Sequence, residues 1–266
     1  MDRTLFIPLM LDTYKACQRA YELARSRFSG NSTVAKNGSQ SMAAICKQFV
    51  RKGVAEINRG KITNNNQLQI FIGQHWPVDK MEKNGFSQDQ IARSFLYTYK
   101  TLLHYVRCPY LPDGAEVVAT AQKVRAKVHP VKVYMEDTFD LILWYPDREH
   151  LELVDFRLKL PQKIYNSYPV PSLLARHFLA NKLRIRWPFK TLSVSTVKLT
   201  PKGLFVSETE LKEETFINHF DDLVRDLEKM KAPSKLDPHG PSDNCSFCNQ
   251  LSGDESQDES DLSMSA

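Results

Sequence analysis

The spacing of hydrophobic and polar residues changes near the middle of the chain, at Pro112-Asp113-Gly114. Before this point apolar residues recur every three or four positions, which is typical of amphipathic helices. After it, apolar and polar residues alternate with period two and β-branched residues become frequent, which predicts strands. The pattern therefore predicts a mainly helical first part and a second part that contains a sheet.

The first part contains three predicted helices. The third is the best defined, because Ser87 and Gln90 have the capping-box spacing and a broad apolar face follows them. The helices are predicted from Asp12 to about Arg27, from Ser41 to about Asn58, and from Ser87 to about Val106. We expect loops at Ser29 to Ser39 and at the asparagine-rich segment Gly60 to Asn66.

The second part contains four predicted strands and two predicted helices. The strands are expected at 116–124, 131–145, 151–160 and 192–199. One helix is expected from Pro171 to about Arg186, and another is expected behind a cap at Ser207-Glu208-Thr209-Glu210. Because a helix between two strands usually forms a crossover, this order predicts an α/β fold with a mixed central sheet flanked by helices.

The composition of the 266 residues, with 42% hydrophobic and 25% charged, is that of a globular protein and excludes collagen-like and mostly disordered classes. No apolar run approaches the ~20 residues that cross a bilayer. The apolar N-terminal stretch is interrupted by Pro8 and followed by Asp12, so it makes a poor signal peptide. The 5 cysteines are irregularly spaced and odd in number, which argues against a secreted disulfide framework. We therefore expect a cytoplasmic protein that does not associate with membranes.

The formal net charge of +5 is divided unevenly along the chain. The last segment, Asn249 to Ala266, has five acidic residues and no Lys or Arg, so its formal charge is −5 and that of residues 1–248 is +10. A basic body favours phosphate-rich polymers or anionic surfaces as partners. The same excess is also compatible with an ordinary solvated surface.

The most informative segment is a predicted hairpin around the turn Pro146-Asp147-Arg148-Glu149. If these residues form the loop, Tyr145 pairs with His150, and counting back places Asp140 directly opposite Asp155. The two carboxylates would then share one face at ~5 Å between Cβ atoms. Alternation places Arg157 and Lys159 on that face and the residues between them on the apolar side.

Two interpretations of this hairpin remain open. Like charges opposite each other are unfavourable unless a cation lies between them, and Mg²⁺ held by Asp140, Asp155, water and substrate phosphate would satisfy both acids. A basic side chain nearby could then neutralise charge on a phosphate oxygen or orient the attacking water. Alternatively, Arg157 and Lys159 neutralise the two aspartates in a purely structural salt-bridge cluster.

The chain has an acid after a hydrophobic strand, then a short hairpin, and then Val154-Asp155-Phe156-Arg157. This order resembles the PD-(D/E)xK nuclease superfamily, specifically its RecB-like branch. The segment from Tyr14 to Tyr21, which contains Cys17, is similar to the N-terminal helix of the iron–sulfur members. Cys245-Ser246-Phe247-Cys248 lies where those members carry C-terminal cysteines. The resemblance covers most of residues 10 to 248 and rests on the combination of these segments.

This resemblance implies a restriction-endonuclease-like core and hydrolysis of phosphodiester bonds in DNA with Mg²⁺ or Mn²⁺. It makes Asp140 and Asp155 the metal ligands and puts Arg157 in the place of the catalytic lysine, with Lys159 as a possible substitute. Glu116 could be a further ligand, although its position at the start of a strand favours a solvent-facing residue. Arginine is a poor replacement for lysine in orienting water. The alternative is therefore an inactive nuclease fold that binds nucleic acid or protein.

Other family features are altered or incomplete in this chain. His75 is the nearest match to the upstream histidine, but Pro77 follows closely and favours an ordinary packing role. The glutamine-to-tyrosine signature of the crossover helix is missing around Leu173 to His177.

The cysteines leave both a metal site and unligated thiols open. Cys17, Cys245 and Cys248 would supply three of the four ligands of an iron–sulfur cluster, and a CxxC pair also suits zinc. Cys46 and Cys108 are interpreted as small buried hydrophobic residues.

DNA is the expected partner because basic residues are dense in the second part of the chain. Trp187 and Phe189 lie among them and could stack on bases, although Trp187 could instead belong to the core. The basic residues are Lys123, Arg125, Lys127, Lys132, Arg176, Lys182, Arg184, Arg186, Lys190 and Lys198.

The expected organisation has four parts. Residues 1–110 form a helical part, residues 111–232 the α/β core, residues 233–248 a linker with the CxxC pair, and residues 249–266 an acidic disordered tail.

Overall fold

The computed structural model describes residues 5–18, 21–22, 40–158 and 171–231. The helices are α1 (Pro8–Ala16), α2 (Met42–Asn58), α3 (Asn65–His75), α4 (Val78–Lys83), α5 (Gln88–Arg107), α6 (Pro171–Ala180) and α7 (Glu213–Lys231). The strands are β1 (Leu5–Phe6), β2 (Glu116–Val128), β3 (Val133–Tyr145), β4 (His150–Arg157), β5 (Thr191–Thr200) and β6 (Gly203–Lys212).

The strands form one 6-stranded mixed sheet in the order β1-β3-β4-β5-β6, with β2 also paired to β3. The β2–β3, β3–β4 and β5–β6 pairs are antiparallel. The β1–β3 and β4–β5 pairs are parallel, and α6 lies between β4 and β5 in the chain. The predicted α/β fold with a mixed sheet flanked by helices is therefore confirmed.

A layer of helices covers each face of the sheet. On one face, residues of α1, α6 and α7 form a core with side chains such as Phe139, Ile142 and Leu153. On the other, residues of α2, α3 and α5 pack on Leu141, Val154 and their neighbours. We call these the α6 face and the α2 face.

The alternation of side chains along β3 changes phase at Asp140. Odd-numbered Met135 and Phe139 belong to the core of the α6 face, whereas beyond Asp140 the even-numbered Ile142 lies there and Leu141 lies on the α2 face. On the neighbouring strand β2, Thr120 pairs with Leu141 and Gln122 pairs with Phe139, but Ala121 between them has no pair. Ala121 has a positive φ of 50°. The regular pleat is thus interrupted at the aspartate that the hairpin pattern singles out.

The first and last described elements are joined on the α6 face. Strand β1 pairs with β3 through Leu5↔Tyr134 and Phe6↔Met135. Lys15 Nζ lies 2.7 Å from Asp226 Oδ1 on α7, and Tyr21 donates its hydroxyl proton to the carbonyl oxygen of Met230 at 3.2 Å.

Two predicted helices are confirmed together with the residues that start them. Ser41 caps α2 by accepting a hydrogen bond from the Ala44 amide. Ser87 and Gln90 form the expected capping box at the start of α5.

Other predicted boundaries were wrong. The segment expected to cap the last helix, Ser207 to Glu210, lies in β6, and α7 begins at Glu213. These residues are polar because the edge strand β6 leaves them exposed. The first helix starts at Pro8 rather than Asp12, and the crossover helix ends at Ala180, after which the chain forms turns.

Helices α3 and α4 were not predicted, because the asparagines and Trp76-Pro77 suggested a loop; Asn64 instead caps α3.

None of the described helices combines the length and the apolar composition that crossing a bilayer requires. The predicted loop at Ser29 to Ser39, the end of the first helix and the acidic tail lie outside the described residues.

Candidate functional site

The β3–β4 hairpin has the predicted register. Its pairs extend from Tyr145↔His150 to Leu141↔Val154, so Asp140 and Asp155 are the next residues of their strands. Both are buried, with 6% and 5% of their surface exposed. The short turn at Pro146–Arg148 ends at Glu149 in the left-handed region, which closes the loop at the expected length.

Asp140 is bound from the α2 face. The Nε group of Arg51 on α2 donates to Asp140 Oδ1 at 2.5 Å, and the Phe156 amide donates to Oδ2 at 2.8 Å. Both carboxylate oxygens therefore have a donor. Burial raises the pKa of Asp140 above its ordinary value, although Arg51 and the Phe156 amide oppose this rise.

Asp155 is bound from the α6 face. The Nη2 group of Arg176 on α6 donates to Asp155 Oδ2 at 2.5 Å, and Arg157 Nη2 donates to the same oxygen at 3.3 Å. Arg176 also donates to Asp137 Oδ2 at 3.0 Å. Burial favours a higher pKa for Asp155, but Arg176 and then Arg157 outweigh burial and hold that pKa below its ordinary value.

A further cation, Lys47, lies one helical turn before Arg51 on α2. Burial lowers its pKa, and the nearby charges of Arg157 and Arg51 lower it further. Lys47 forms no ion pair or hydrogen bond with the described residues. The group as a whole holds four cations (Lys47, Arg51, Arg157 and Arg176) and four carboxylates (Asp137, Asp140, Asp155 and, beside Arg176, Asp12), so its formal charges balance.

This arrangement does not fit the divalent metal that the resemblance implies. The two predicted ligands, Asp140 and Asp155, are bound by guanidinium groups that come from opposite faces of the sheet. A dication between them would have to displace these buried ion pairs. The purely structural alternative for this hairpin matches the contacts better, although two of the three arginines come from helices.

The remaining predicted site residues lie apart from this group or outside the described residues. Glu116 is exposed and pairs with Trp144, four residues from Asp140 and hence ~13 Å along the strand. Cys17 is half-buried at the C-terminal end of α1. Lys159, Cys245 and Cys248 are not among the described residues. Within the described ranges, no group of three or more His, Cys, Asp or Glu could hold a metal ion.

Two other sequence interpretations can be compared with the structure. His75 is the last residue of α3, and its exposed ring packs against Phe71 with the ring centres 5.0 Å apart. Cys46 is buried as predicted, but Cys108 is exposed, because it follows the last turn of α5 where the chain leaves the helical layer.

Sequence reasoning missed Lys47, Arg51 and Arg176 as members of the site. The spacing of four between Lys47 and Arg51 inside a predicted helix places them on one side of it, but nothing local indicates which element that side faces. Arg176 was assigned to a DNA surface, whereas its side chain is buried between Asp137 and Asp155.

An open cleft of about 380 Å³ lies over Asp140 on the α2 face. Three basic residues line it, namely Arg51 and Lys52 of α2 and Arg59, which directly follows α2, together with Glu56, Ala121 and Thr138. Arg59 bridges to β2 by donating to Thr120 Oγ1 at 2.8 Å. Beyond the cleft, three exposed basic residues follow along β2, namely Lys123, Arg125 and Lys127. The residues between them are buried on the α6 face, so the three basic side chains lie on the α2 face and continue its basic surface.

The basic segment from Lys182 to Lys190 lies elsewhere. It leads into Thr191, which pairs with His150 at the turn end of the hairpin, whereas Asp155 pairs with Thr196. The two groups are thus ~16 Å apart along β5. Phe189 is buried and Trp187 is half-buried under Arg186, so the expectation that Phe189 stacks on bases was wrong.

Comparisons with known proteins provide little further information. No family model matches the chain, and no curated protein matches it. The solved structure described as "Crystal structure of SSO0001" aligns with 71% of this chain and 88% of its own chain, at 11% identity and a TM-score of 0.24. A likeness at this level supports no conclusion about fold or function.

Proposed function

We propose that this chain is a nucleic-acid-binding module on a nuclease-like α/β fold that does not cut its ligand. The observation that carries the proposal is the basic lining of the cleft over Asp140. Arg51, Lys52 and Arg59 line this cleft, and the row Lys123, Arg125 and Lys127 extends it along β2. Nucleic acid is the partner that best suits an extended run of cations, because its backbone presents regularly spaced phosphates.

Binding on this surface would act through phosphates rather than bases. Lysine and arginine contacts to phosphates position a nucleic acid without reading its sequence. The cleft offers few side chains for direct base recognition, since its remaining lining consists of Ala55, Glu56, Ala121, Thr138 and Asp140. We therefore expect weak sequence preference and a strong dependence of affinity on salt.

The absence of cleavage is proposed from the contacts of the two aspartates. Each carboxylate is already engaged by an arginine, and Arg157 stands where a nuclease of this kind would carry lysine. A guanidinium stays protonated and donates in a rigid planar fork, so it cannot accept a proton from water or substitute for the compact lysine ammonium.

The binding part of the proposal is tested by fluorescence anisotropy with labelled single- and double-stranded DNA across a range of KCl concentrations. The double variant Lys52→Gln/Lys127→Gln should bind more weakly and should lower the salt slope by about 2. The matched control is Lys83→Gln/Lys100→Gln, which removes the same charge from exposed positions on α4 and α5. Equal losses in both double variants would show that only net charge matters and would contradict a role for the cleft.

The catalytic part is tested by incubating the protein and its Asp140→Asn variant with DNA and Mg²⁺ or Mn²⁺. We expect intact DNA in every reaction. Cleavage by the unmodified protein that disappears in the Asp140→Asn variant would identify a metal-dependent nuclease and overturn the proposal.

A further inference from the structure

Three cations lie close to the aspartate pair. Lys47 and Arg51 lie one turn apart on α2, and Arg157 is the last residue of β4. Arg157 and Arg51 are close enough to Lys47 that their charges disfavour its protonated form. Such repulsion is costly in the free protein and is relieved when an anion binds.

The aspartates hold two of these cations in place. Asp140 and the Thr138 carbonyl oxygen accept hydrogen bonds from Arg51 at 2.5 and 3.4 Å. Asp155 accepts one bond from Arg157 at 3.3 Å, and the other Arg157 donors meet no acceptor among the described residues. The acids therefore orient guanidinium groups whose donors are only partly used.

Lys47 and Arg157 retain donors that no described residue uses. The Lys47 ammonium has three donors and no acceptor within the described ranges. Side-chain exposures of 35% for Arg51 and 28% for Arg157 leave both groups within reach of a ligand. Three partly exposed cations with free donors match the several acceptor oxygens of a tetrahedral oxyanion.

We propose that Lys47, Arg51 and Arg157 form a phosphate-binding site that takes one backbone phosphate of the bound nucleic acid without a metal ion. The acids here position cations instead of coordinating metal. This inference rests on the proposed function for the source of the phosphate, because free phosphate has the same chemistry.

The first arm of the test uses inorganic phosphate alone. At constant ionic strength set with KCl, phosphate should raise the melting temperature of the unmodified protein. Lys47→Gln should abolish that rise, Lys47→Arg should restore most of it, and the control Lys100→Gln should leave it unchanged. An equal phosphate effect in the unmodified protein and in Lys47→Gln would overturn the site.

Folding does not confound this arm, because Lys47 forms no ion pair with the described residues, and the charges of Arg157 and Arg51 disfavour its ammonium more than those of Asp155 and Asp140 favour it. Without phosphate, Lys47→Gln should therefore melt at the same temperature as the unmodified protein or higher. A lower melting temperature in phosphate-free buffer would identify Lys47 as a structural residue and overturn its assignment to a site.

The second arm uses a single-stranded oligonucleotide and separates this inference from the proposed function. Lys47→Gln should bind roughly tenfold more weakly, as expected for the loss of a charge-assisted contact. Unchanged oligonucleotide affinity together with a lost phosphate effect would overturn the assignment to a backbone phosphate and leave the proposed function standing. A phosphate effect in a protein that binds no oligonucleotide would support the site and overturn the proposed function.

Discussion

Arg176 on the crossover helix donates to the Asp155 carboxylate at 2.5 Å, with 15% and 7% of the two side chains exposed. The same guanidinium also binds Asp137, so one buried cation bridges two acids from neighbouring strands. These contacts attach α6 to the sheet through charge as well as through apolar packing. Removal of one partner from a buried ion pair of this kind leaves an uncompensated buried charge.

Replacement of Arg176 by methionine should therefore be strongly destabilising. Arg176→Met leaves the buried carboxylates of Asp155 and Asp137 without their shared partner, and we expect a loss of about 3–5 kcal/mol in the free energy of unfolding. Urea denaturation at pH 7 measures this loss.

The matched control for this variant is Arg93→Met on α5. It removes an exposed ion pair with Asp89, one turn away, and should cost less than about 1 kcal/mol. Similar losses in the two variants would show that burial of the Arg176 contacts does not matter.

Stability should decrease in mild acid because of His177. This side chain is fully buried and stacks on Phe216 with the ring centres 4.2 Å apart. Burial, and then the charge of Arg184, lower its pKa from 6.5 to about 4. As pH falls, the unfolded chain binds a proton at His177 before the folded protein does. The stability that the neutral imidazole contributes is therefore complete above pH 6.5 and is lost as pH falls towards 4, by up to about 3 kcal/mol.

The measurement is urea unfolding from pH 7 to pH 4.5 for the unmodified protein and for His177→Phe. The buried carboxyls of Asp137 and Asp140 have raised pKa values and act in the opposite direction, since their folded forms take up protons first. The difference between the two proteins cancels that background. The variant should lose less stability than the unmodified protein, and parallel curves would contradict the prediction.

Gly53 is required where α2 crosses α5. A Cβ atom at this position would meet the two Cδ atoms of buried Leu102 at 2.9 and 3.0 Å and Phe71 Cε1 at 3.3 Å. The overpacking should outweigh the higher helix propensity of alanine, so Gly53→Ala should lower the free energy of unfolding by about 1–2 kcal/mol.

Gly73 on α3 is the control for this substitution, because no atom lies within 4 Å of an added Cβ there. Gly73→Ala should stabilise the protein by about 0.5–1 kcal/mol. Chemical denaturation of both variants measures the two effects, and opposite signs are expected. A stabilising Gly53→Ala would show that Leu102 moves aside without cost.

The two cysteines between residues 40 and 158 should differ in reactivity. Cys108 is exposed, whereas Cys46 is buried and burial raises the pKa of its thiol. Because the thiolate is the reactive form, iodoacetamide should alkylate Cys108 at least about tenfold faster in the folded protein at pH 8. Peptide mass spectrometry over time follows both sites, with urea-unfolded protein as the control in which the rates converge.

The local parts of this fold were predictable from the sequence. The register of the β3–β4 hairpin followed from counting back from a four-residue turn, and Ser87 with Gln90 identified the start of α5. Both features depend on neighbouring residues, whose spacing a sequence displays directly. Strand β6 was missed because its exposed polar positions imitate the start of a helix.

The partners of the aspartates could not be predicted in the same way. Arg51 meets Asp140 across 89 positions of the chain, and Arg176 meets Asp155 across 21. Such contacts depend on how helices are placed over the sheet, which no local pattern encodes. The change of phase at Asp140 also escapes prediction, because it accompanies an unusual backbone conformation at Ala121 on the neighbouring strand, which the local sequence does not indicate.

The joining of the first and last described elements has a consequence for how the chain folds during synthesis. The core of the α6 face needs β1, β3, α6 and α7, so its closing contacts, including Tyr21 with Met230, form only after α7 has been synthesised. The α2 face uses segments closer together, from α2 to β5. Such long-range contacts slow folding because loop-closure entropy is spent before they form. Nascent chains should therefore bury the α2 face first, and the α6 face should close only when synthesis reaches α7.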